Sequence, residues 1–530
     1  MAELVIYDTT LRDGTQAENF NLSTDDKIRI TLKLDALGID YIEGGWPGAN
    51  PVTTEYFNEI KNYSLRHTRL TAFGSTRNFN NPPEKDPNLQ ALVEAGTAGI
   101  TIFGKTWDVH VRDALRIKPE DNLLIIDDSL RFLRSRTQHL FYDAEHFFDG
   151  FKGDKEYALA TIDRAVGAGA DCIVLCDTNG GTLPTELFEI IRTVKEYFLA
   201  KDMHPSLGIH AHNDAESAVA NSLLAVSLGI TQIQGTMNGV GERCGNANLT
   251  SIIPALALKM GHSFSAAEHL RELTETSRFV SELANMTPNM FQPYVGAAAF
   301  AHKGGIHVSA VQRNPMTYEH IDPELVGNSR RILISDQAGK SNILHKSAKF
   351  GIELNSDDPR VASILKELKD LEKQGYQYEG AEASFELLMR KALGTTRRYF
   401  DLHGFRVISQ KRDVDVPPQD EATVRLEVGG EMVHTAALGA GPVNALDNAL
   451  RKALTRFYPS LAEMHLKDYK VRVLASDHGT GARVRVLIQT SDNDGEWGTV
   501  GVSHDIIEAS WQALVDSLTY KLMKDERKLS

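Results

Sequence analysis

At 530 residues and 58.6 kDa the chain is too long for one ordinary core and should hold about two to four domains, or one large barrel with appendages. A hydrophobic content of 42% with 24% charged residues suits a folded, soluble protein and excludes a disordered or fibrous chain. Acidic residues outnumber basic ones 71 to 57, a net charge of −14, and no Lys/Arg-rich run offers a grip on a nucleic-acid backbone, so a nucleic-acid partner is disfavoured.

The opening MAELVIYDTT has a three-residue apolar run from Leu4 to Ile6, too short for a signal peptide. No stretch reaches the roughly 18 apolar residues of a membrane span, so a cytoplasmic protein with no membrane partner is expected. Eight short apolar runs follow: LVIYD (4–8), IDYIEGG (39–45), RLTAFG (69–74), GITIFG (99–104), HLFYD (139–143), DCIVLCD (171–177), LGIHAHN (207–213) and TQIQGT (231–236). Such runs, rich in β-branched residues and bounded by turn formers, are the pattern of strands buried on both faces of a parallel sheet. Helices are expected between them. One is opened by the capping cluster Ser23-Thr24-Asp25-Asp26 and closed at Gly38, and others span 154–168, 184–199 and 214–228. Eight strand–helix units predict an α/β fold, a (β/α)8 TIM barrel over 1–262. The rival, a doubly wound open sheet, needs a glycine-rich turn after the first strand, and DTTLRDGTQ is not one.

Residues 263–396 read as mainly helical linker subdomains, with ILKELKDLEKQ (364–374) as a solvated helix face. From 397 to 530 the pattern changes to α+β. After the turn-like VDVPPQDEA come TVRLEV, MVHTAALG and the helix VNALDNALRKALTRF; then KVRVLA, ARVRVLIQT, WGTVGVS and the helix DIIEASWQALVDSLTYKL. Two strand blocks each closed by a helix predict an internal pseudo-repeat suited to binding or assembly. The three cysteines, Cys172, Cys176 and Cys244, are too few and too odd a set for a disulfide framework, and the first two sit in an apolar run as packing residues.

Chemistry gathers at the expected barrel mouth. In His210-Ala211-His212, residues i and i+2 of a strand point the same way, at the C-terminal end where barrel enzymes keep their sites. Asp13 in LRDG, after the first strand, and Asn246 in GVGERCGNANL, after the eighth, are neighbours in a closed barrel. Two nitrogens and two oxygens without a thiolate suit Mg²⁺, Mn²⁺ or Zn²⁺. The alternative is a pair of structural histidines, with Asp13 and Asn246 fixing turns; Asp8 reads as structural. An ion here would polarise a carbonyl, with Arg12 stabilising oxyanion charge, a layout that fits carbon–carbon chemistry at an α-keto acid. Thr178 offers a hydroxyl to the substrate carboxylate. Glu145 is a candidate base, although an acid after a strand is more often a capping residue.

YDTTLRDGTQ, HAHND and NGVGERCGNANL together resemble the metal-dependent barrel synthases and lyases typified by 2-isopropylmalate, homocitrate and citramalate synthases. HKGGIHVSA (302–310), YEHIDPELVG (318–327) and the C-terminal domain extend the resemblance over nearly the whole chain, and the last is similar to an amino-acid-sensing domain. YIEGGWPGANP and FYDAEHFFDGFKGD are most similar to the long citramalate-forming branch. The resemblance implies an acyltransferase that condenses acetyl-CoA with pyruvate and water, feedback by isoleucine, and a homodimer. It implies Asp13, His210, His212 and Asn246 as metal ligands, Arg12 as oxyanion stabiliser, Thr178 at the keto-acid carboxylate, Glu145 in acid–base work, and His307 and Tyr318 on the acetyl-CoA side. The chain departs from the family pattern at Gly45-Trp46, at Asp143-Ala144-Glu145-His146 and at His307-Val308-Ser309. A bulkier keto acid, a cleaving lyase using Cys244, and a non-catalytic sensor are the rival readings.

Overall fold

The computed structural model describes residues 4–529 apart from 334–339, 356–357, 379 and 475–480, so Ala475 of the expected KVRVLA strand lies outside the described residues. All eight apolar runs become strands: β1 (Val5–Asp8), β2 (Tyr41–Glu43), β3 (Arg69–Ser75), β4 (Gly99–Lys105), β5 (His139–Glu145), β6 (Cys172–Asp177), β7 (Ser206–Ala211) and β8 (Gln232–Gly235). Each pairs in parallel with the next, and β8 pairs with β1, closing the expected barrel.

The runs look continuously apolar because both faces are covered. Ile6, Ile42, Ile100, Leu140, Ile173 and Ile209 point outward into the shell packed against the helices. Tyr7, Tyr41, Phe141, Cys172, Val174 and Cys176 form a separate cluster that fills the lumen. Cys172 and Cys176 are thus packing residues, and burial pushes the Cys172 thiol up to about 12. Toward the C-terminal ends the inward positions turn polar, which seats the functional residues on a plugged floor.

The helix Thr24–Leu37 starts at a capping box between Ser23 and Asp26 and stops at Gly38, whose φ of 85° is left-handed. The helix expected from 214 begins at Ala218. Asp214 is drawn off by Arg243 (2.9 Å), and the Asn213 side chain accepts from the Ala218 amide.

The chain forms two compact units, Met1–Phe300 with His320–Arg330, and Ala301–Glu319 with Arg331–Ser530. In the second, short strands β9 (Ala301–His302) and β10 (Arg331–Ile332) pair in parallel. The pseudo-repeat is present: β11 (Asp401–Gln410), β12 (Gln419–Val428) and β13 (Glu431–Gly439) form an antiparallel sheet closed by the helix Pro442–Leu454. Then β14 (His465–Val473), β15 (Val484–Asp492) and β16 (Gly495–Ser503) form another, closed by the helix Ile506–Leu529. Strand β11 has no counterpart among the expected runs, since its side chains are mostly solvent-facing and show no apolar alternation. The helices Pro359–Lys373 and Glu382–Ala392 share a core with β16 through Ile364, Leu368, Phe385, Val500 and Val502. Among the described residues no helix is long and apolar enough to cross a membrane.

Candidate metal centre

Beyond β1 the chain turns at once. The buried Asp8 carboxylate accepts from the Thr10 amide (2.9 Å) and hydroxyl (2.8 Å), which fixes the turn and agrees with its structural reading. Burial pushes its carboxyl up to about 7. The turn aims Arg12 and Asp13 at the mouth, where Asp13, His210 and His212 gather, all buried, with candidate ligand atoms within 4.8 Å of one another. His212 lies one residue past β7, and its backbone bridges to Asn246 across the mouth. That bridge sets Asn246, the fourth expected ligand, beside His212. Gly241 makes this possible, since a Cβ there would stand 2.1 Å from the Asn246 amide nitrogen.

The hydrogen bonds assign the histidine's protons. Gln234 donates its amide to Asp143 Oδ1 (3.1 Å), which leaves Gln234 Oε1 to accept from His210 Nδ1 (2.9 Å). His210 Nε2 then faces Asp13 Oδ2 at 3.2 Å, with His212 Nε2 at 3.8 Å from the same oxygen; burial alone would lower the His210 imidazole, but its hydrogen bond to Asp13 raises it. Two acceptors so close need a proton or a cation between them. Asp13 Oδ1, His212 Nδ1 and Asn246 Oδ1 are also buried without a hydrogen-bond partner. This donor set fits a divalent metal ion.

Electrostatics point the same way. Burial alone would raise the Asp13 carboxyl, but Arg12 beside it and the His210 hydrogen bond outweigh burial and hold it well below the usual carboxylate range. Burial, then the neighbouring His210, lower His212 to about 4, so its imidazole is neutral and able to donate a lone pair. Arg12 is fixed from three sides: Nε pairs with the fully buried Glu43, Nη1 meets Asp13 at 3.0 Å, and the guanidinium lies 3.9 Å from the Phe73 ring centre. Glu43 in turn accepts from the Tyr7 hydroxyl at 2.9 Å.

Arg12, Asp13, His210 and His212 line a cavity of about 580 Å³ that also takes in Thr178, Glu145 and an aromatic wall. Phe73 and Phe103 stack at 5.5 Å, and Trp46 stands edge-on to both. Gly45, with φ 134°, swings Trp46 into this wall, and Trp46 Nε1 donates to Asn88 at 2.8 Å. The Thr178 hydroxyl accepts from the His146 amide at 2.9 Å, and Glu145 pairs with Lys105. His307 and Tyr318 belong to the second unit, exposed and stacked on each other with ring centres 4.2 Å apart.

A family profile described as HMGL-like matches residues 3–280, one described as a homocitrate synthase post-HMGL domain matches 294–376, and one described as the LeuA allosteric (dimerisation) domain matches 379–522. The chain is 58% identical over 526 residues to the (R)-citramalate synthase of Geobacter sulfurreducens, covering 99% of each chain. With the (R)-citramalate synthase of Aquifex aeolicus it shares 54% over 527 residues, again 99% of each. The chain belongs to the (R)-citramalate synthase family. Outside that family the likeness falls: the 2-isopropylmalate synthase of Methanocaldococcus jannaschii is 31% identical over 526 residues, 98% of this chain and 95% of that one.

Sequence reasoning did not single out Glu43, Gln234 and Lys105, and named Asp143 only within a departure from the family pattern, not as a partner of the site. Strand parity held the signal: Glu43 is two residues on from the lumen residue Tyr41, and Asp143 two on from Phe141.

Proposed function

We propose that this chain is an acyltransferase that condenses acetyl-CoA with pyruvate and water to give (R)-citramalate and CoA. The observation that carries the reading is the buried Asp13–His210–His212 cluster with Arg12 ion-paired at its rim. Asp13, His210, His212 and Asn246 would hold a divalent ion, Mg²⁺, Mn²⁺ or Zn²⁺, which supplies Lewis acidity toward the keto oxygen. Arg12, oriented by Glu43, meets the oxyanion as it develops, and the Thr178 hydroxyl donates to the keto-acid carboxylate. The Trp46–Phe73–Phe103 wall supports pyruvate over branched keto acids, because a methyl group asks for less room than an isopropyl.

A base drawn from Glu145, His307 and Tyr318 takes a proton from the acetyl methyl; the resulting enolate attacks the ketone carbon, and water cleaves the thioester to release CoA. Glu145 is favoured by its place in the cavity wall. His307 and Tyr318 are assigned on the family pattern alone. The same reading gives 1–262 the catalysis, 263–396 the completion of the acetyl-CoA side, and 397–530 homodimerisation and amino-acid sensing, with isoleucine as the effector. A biosynthetic step drawing on acetyl-CoA and pyruvate belongs in the cytoplasm.

A thiol-release assay with acetyl-CoA and a panel of keto acids, with and without a chelator, tests this. Pyruvate should give the fastest release, lost on chelation and restored by divalent metal, and isoleucine alone among the amino acids should slow it. Release with 2-oxoisovalerate but none with pyruvate would overturn the assignment.

A further inference from the structure

Lys27 lies in the first turn of the helix Thr24–Leu37, whose capped start faces the barrel mouth. Side chains on a helix lean toward its N-terminus, so Lys27 reaches back into the mouth and is only 4% exposed. Its Nζ donates to the Leu11 carbonyl at 2.9 Å and the Gly44 carbonyl at 3.2 Å. It forms no ion pair with a carboxylate among the described residues, although a buried ammonium without a counter-ion is costly. Burial lowers the amine to about 8.

The two carbonyls are those of the residues directly before Arg12 and directly after Glu43. Two carbonyl oxygens aimed at one point, shut away from water, repel each other unless a donor sits between them; an ammonium with three N–H groups serves both. The surroundings are built for this approach. A Cβ at Gly45, where φ is 134°, would stand 3.5 Å from Nζ and 2.8 Å from Thr53 Cγ2. Below the ammonium lies the Tyr56 ring, 5.7 Å away, its hydroxyl bonded to Thr31 at 2.8 Å.

We infer that Lys27 is a positioning residue for the condensation: it clamps the loop after β1 to the end of β2, and so sets the Arg12–Glu43 pair that aims the guanidinium at the oxyanion. The inference rests on the reaction proposed above, and acts through Arg12 rather than through contact with substrate. Without the clamp the two backbone segments part, and Arg12 loses its fixed direction while His210, His212 and Asn246, carried on other segments, keep theirs.

A double-mutant cycle tests it. Wild type, Lys27→Met, Arg12→Gln and the double variant are compared in kcat and in KM for each substrate, with Mn²⁺ titration calorimetry and thermal melting to show an intact metal site and fold. Lys27→Met should lower kcat by about 10- to 100-fold with KM for acetyl-CoA changed less than about twofold, and should cost under about threefold when Arg12 is already Gln. An equal loss in both backgrounds, or wild-type kcat in folded Lys27→Met, overturns the inference. Where Lys27→Met does not fold, Lys27→Gln, which keeps amide donors on a shorter stem, enters the same cycle. If wild type releases no CoA at all, the proposed reaction fails by itself, and pyruvate affinity measured by calorimetry across the four proteins still reads the coupling of Lys27 to Arg12.

Discussion

His210 shows how one side chain is committed from both ends. Gln234 fixes its Nδ1 as a donor, and Asp13 faces its Nε2, so ring orientation and lone-pair direction are set before any ligand arrives. Removing either His210 or His212 should therefore abolish divalent-metal binding and CoA release together; calorimetry with Mn²⁺ beside the thiol assay checks this, and full activity in either alanine variant sinks the assigned site. Glu43 is the matching case for Arg12. Glu43→Gln breaks a pair in which the carboxylate has no solvent exposure, leaving Arg12 with Asp13 alone. A loss of about 3 kcal/mol in unfolding free energy by denaturant titration, with a kcat drop of about 100-fold, is expected.

Among the elements, β2, β3 and β4 together make the wall that should choose the keto acid. Trp46 follows β2, Phe73 sits on β3 and Phe103 on β4, and no two of them are near in sequence. Trp46→Ala should widen the pocket and raise kcat/KM for 2-oxobutyrate and 2-oxoisovalerate relative to pyruvate by about tenfold, the scale of one or two methylene groups in an apolar pocket. An unchanged ratio in the same CoA-release assay would move the specificity determinant elsewhere. The same three elements explain the departure at Gly45-Trp46. A left-handed glycine turns the indole inward, where its N–H finds Asn88.

At the scale of the whole molecule, the second unit is tied by a charge network under its last helix. Lys521, 1% exposed, meets Asp492 at 3.0 Å, Asp525 at 2.9 Å and Glu463 at 3.3 Å. Burial would raise the Asp492 carboxyl, but Lys524 and Lys521 outweigh it and hold it well below the ordinary carboxylate value. A carboxyl lowered on folding adds stability that is complete above its unfolded value, near 4, and is lost as pH falls through the folded one. Thermal melting should thus show the second unit weakening below about pH 4, and Lys521→Met, which leaves Asp492 with Lys524 alone, should cost about 1–3 kcal/mol at neutral pH. Truncation near Pro417 should not yield a clean unregulated enzyme. It removes β16 from the helix Glu382–Ala392, where Ser384 bonds Asp516 at 2.6 Å and the Val500 amide at 3.0 Å, and so exposes Phe385 and its neighbours. Size-exclusion chromatography should find this fragment aggregated.

The eight barrel strands, the first helix with its capping cluster, and the gathering of Asp13, His210 and His212 at the barrel mouth were legible from sequence. Their causes are local: apolar runs, capping chemistry, and the two-residue period of a strand that puts His210 and His212 on one side. Glu43, Gln234 and Lys27 were not legible as partners of the site, because nothing near each in sequence names the strand or loop it meets. Only the pairing of β1 with β2 brings Glu43 to Arg12, 31 positions away, and only that of β7 with β8 brings Gln234 to His210, 24 positions away. Likewise β11, too exposed to show an apolar rhythm, is held by its register against β12 and not by its own composition. Sequence determined which chemistry this protein carries; tertiary structure decided which buried partners aim it, because a hydrogen bond or ion pair depends on distance in space and not along the chain.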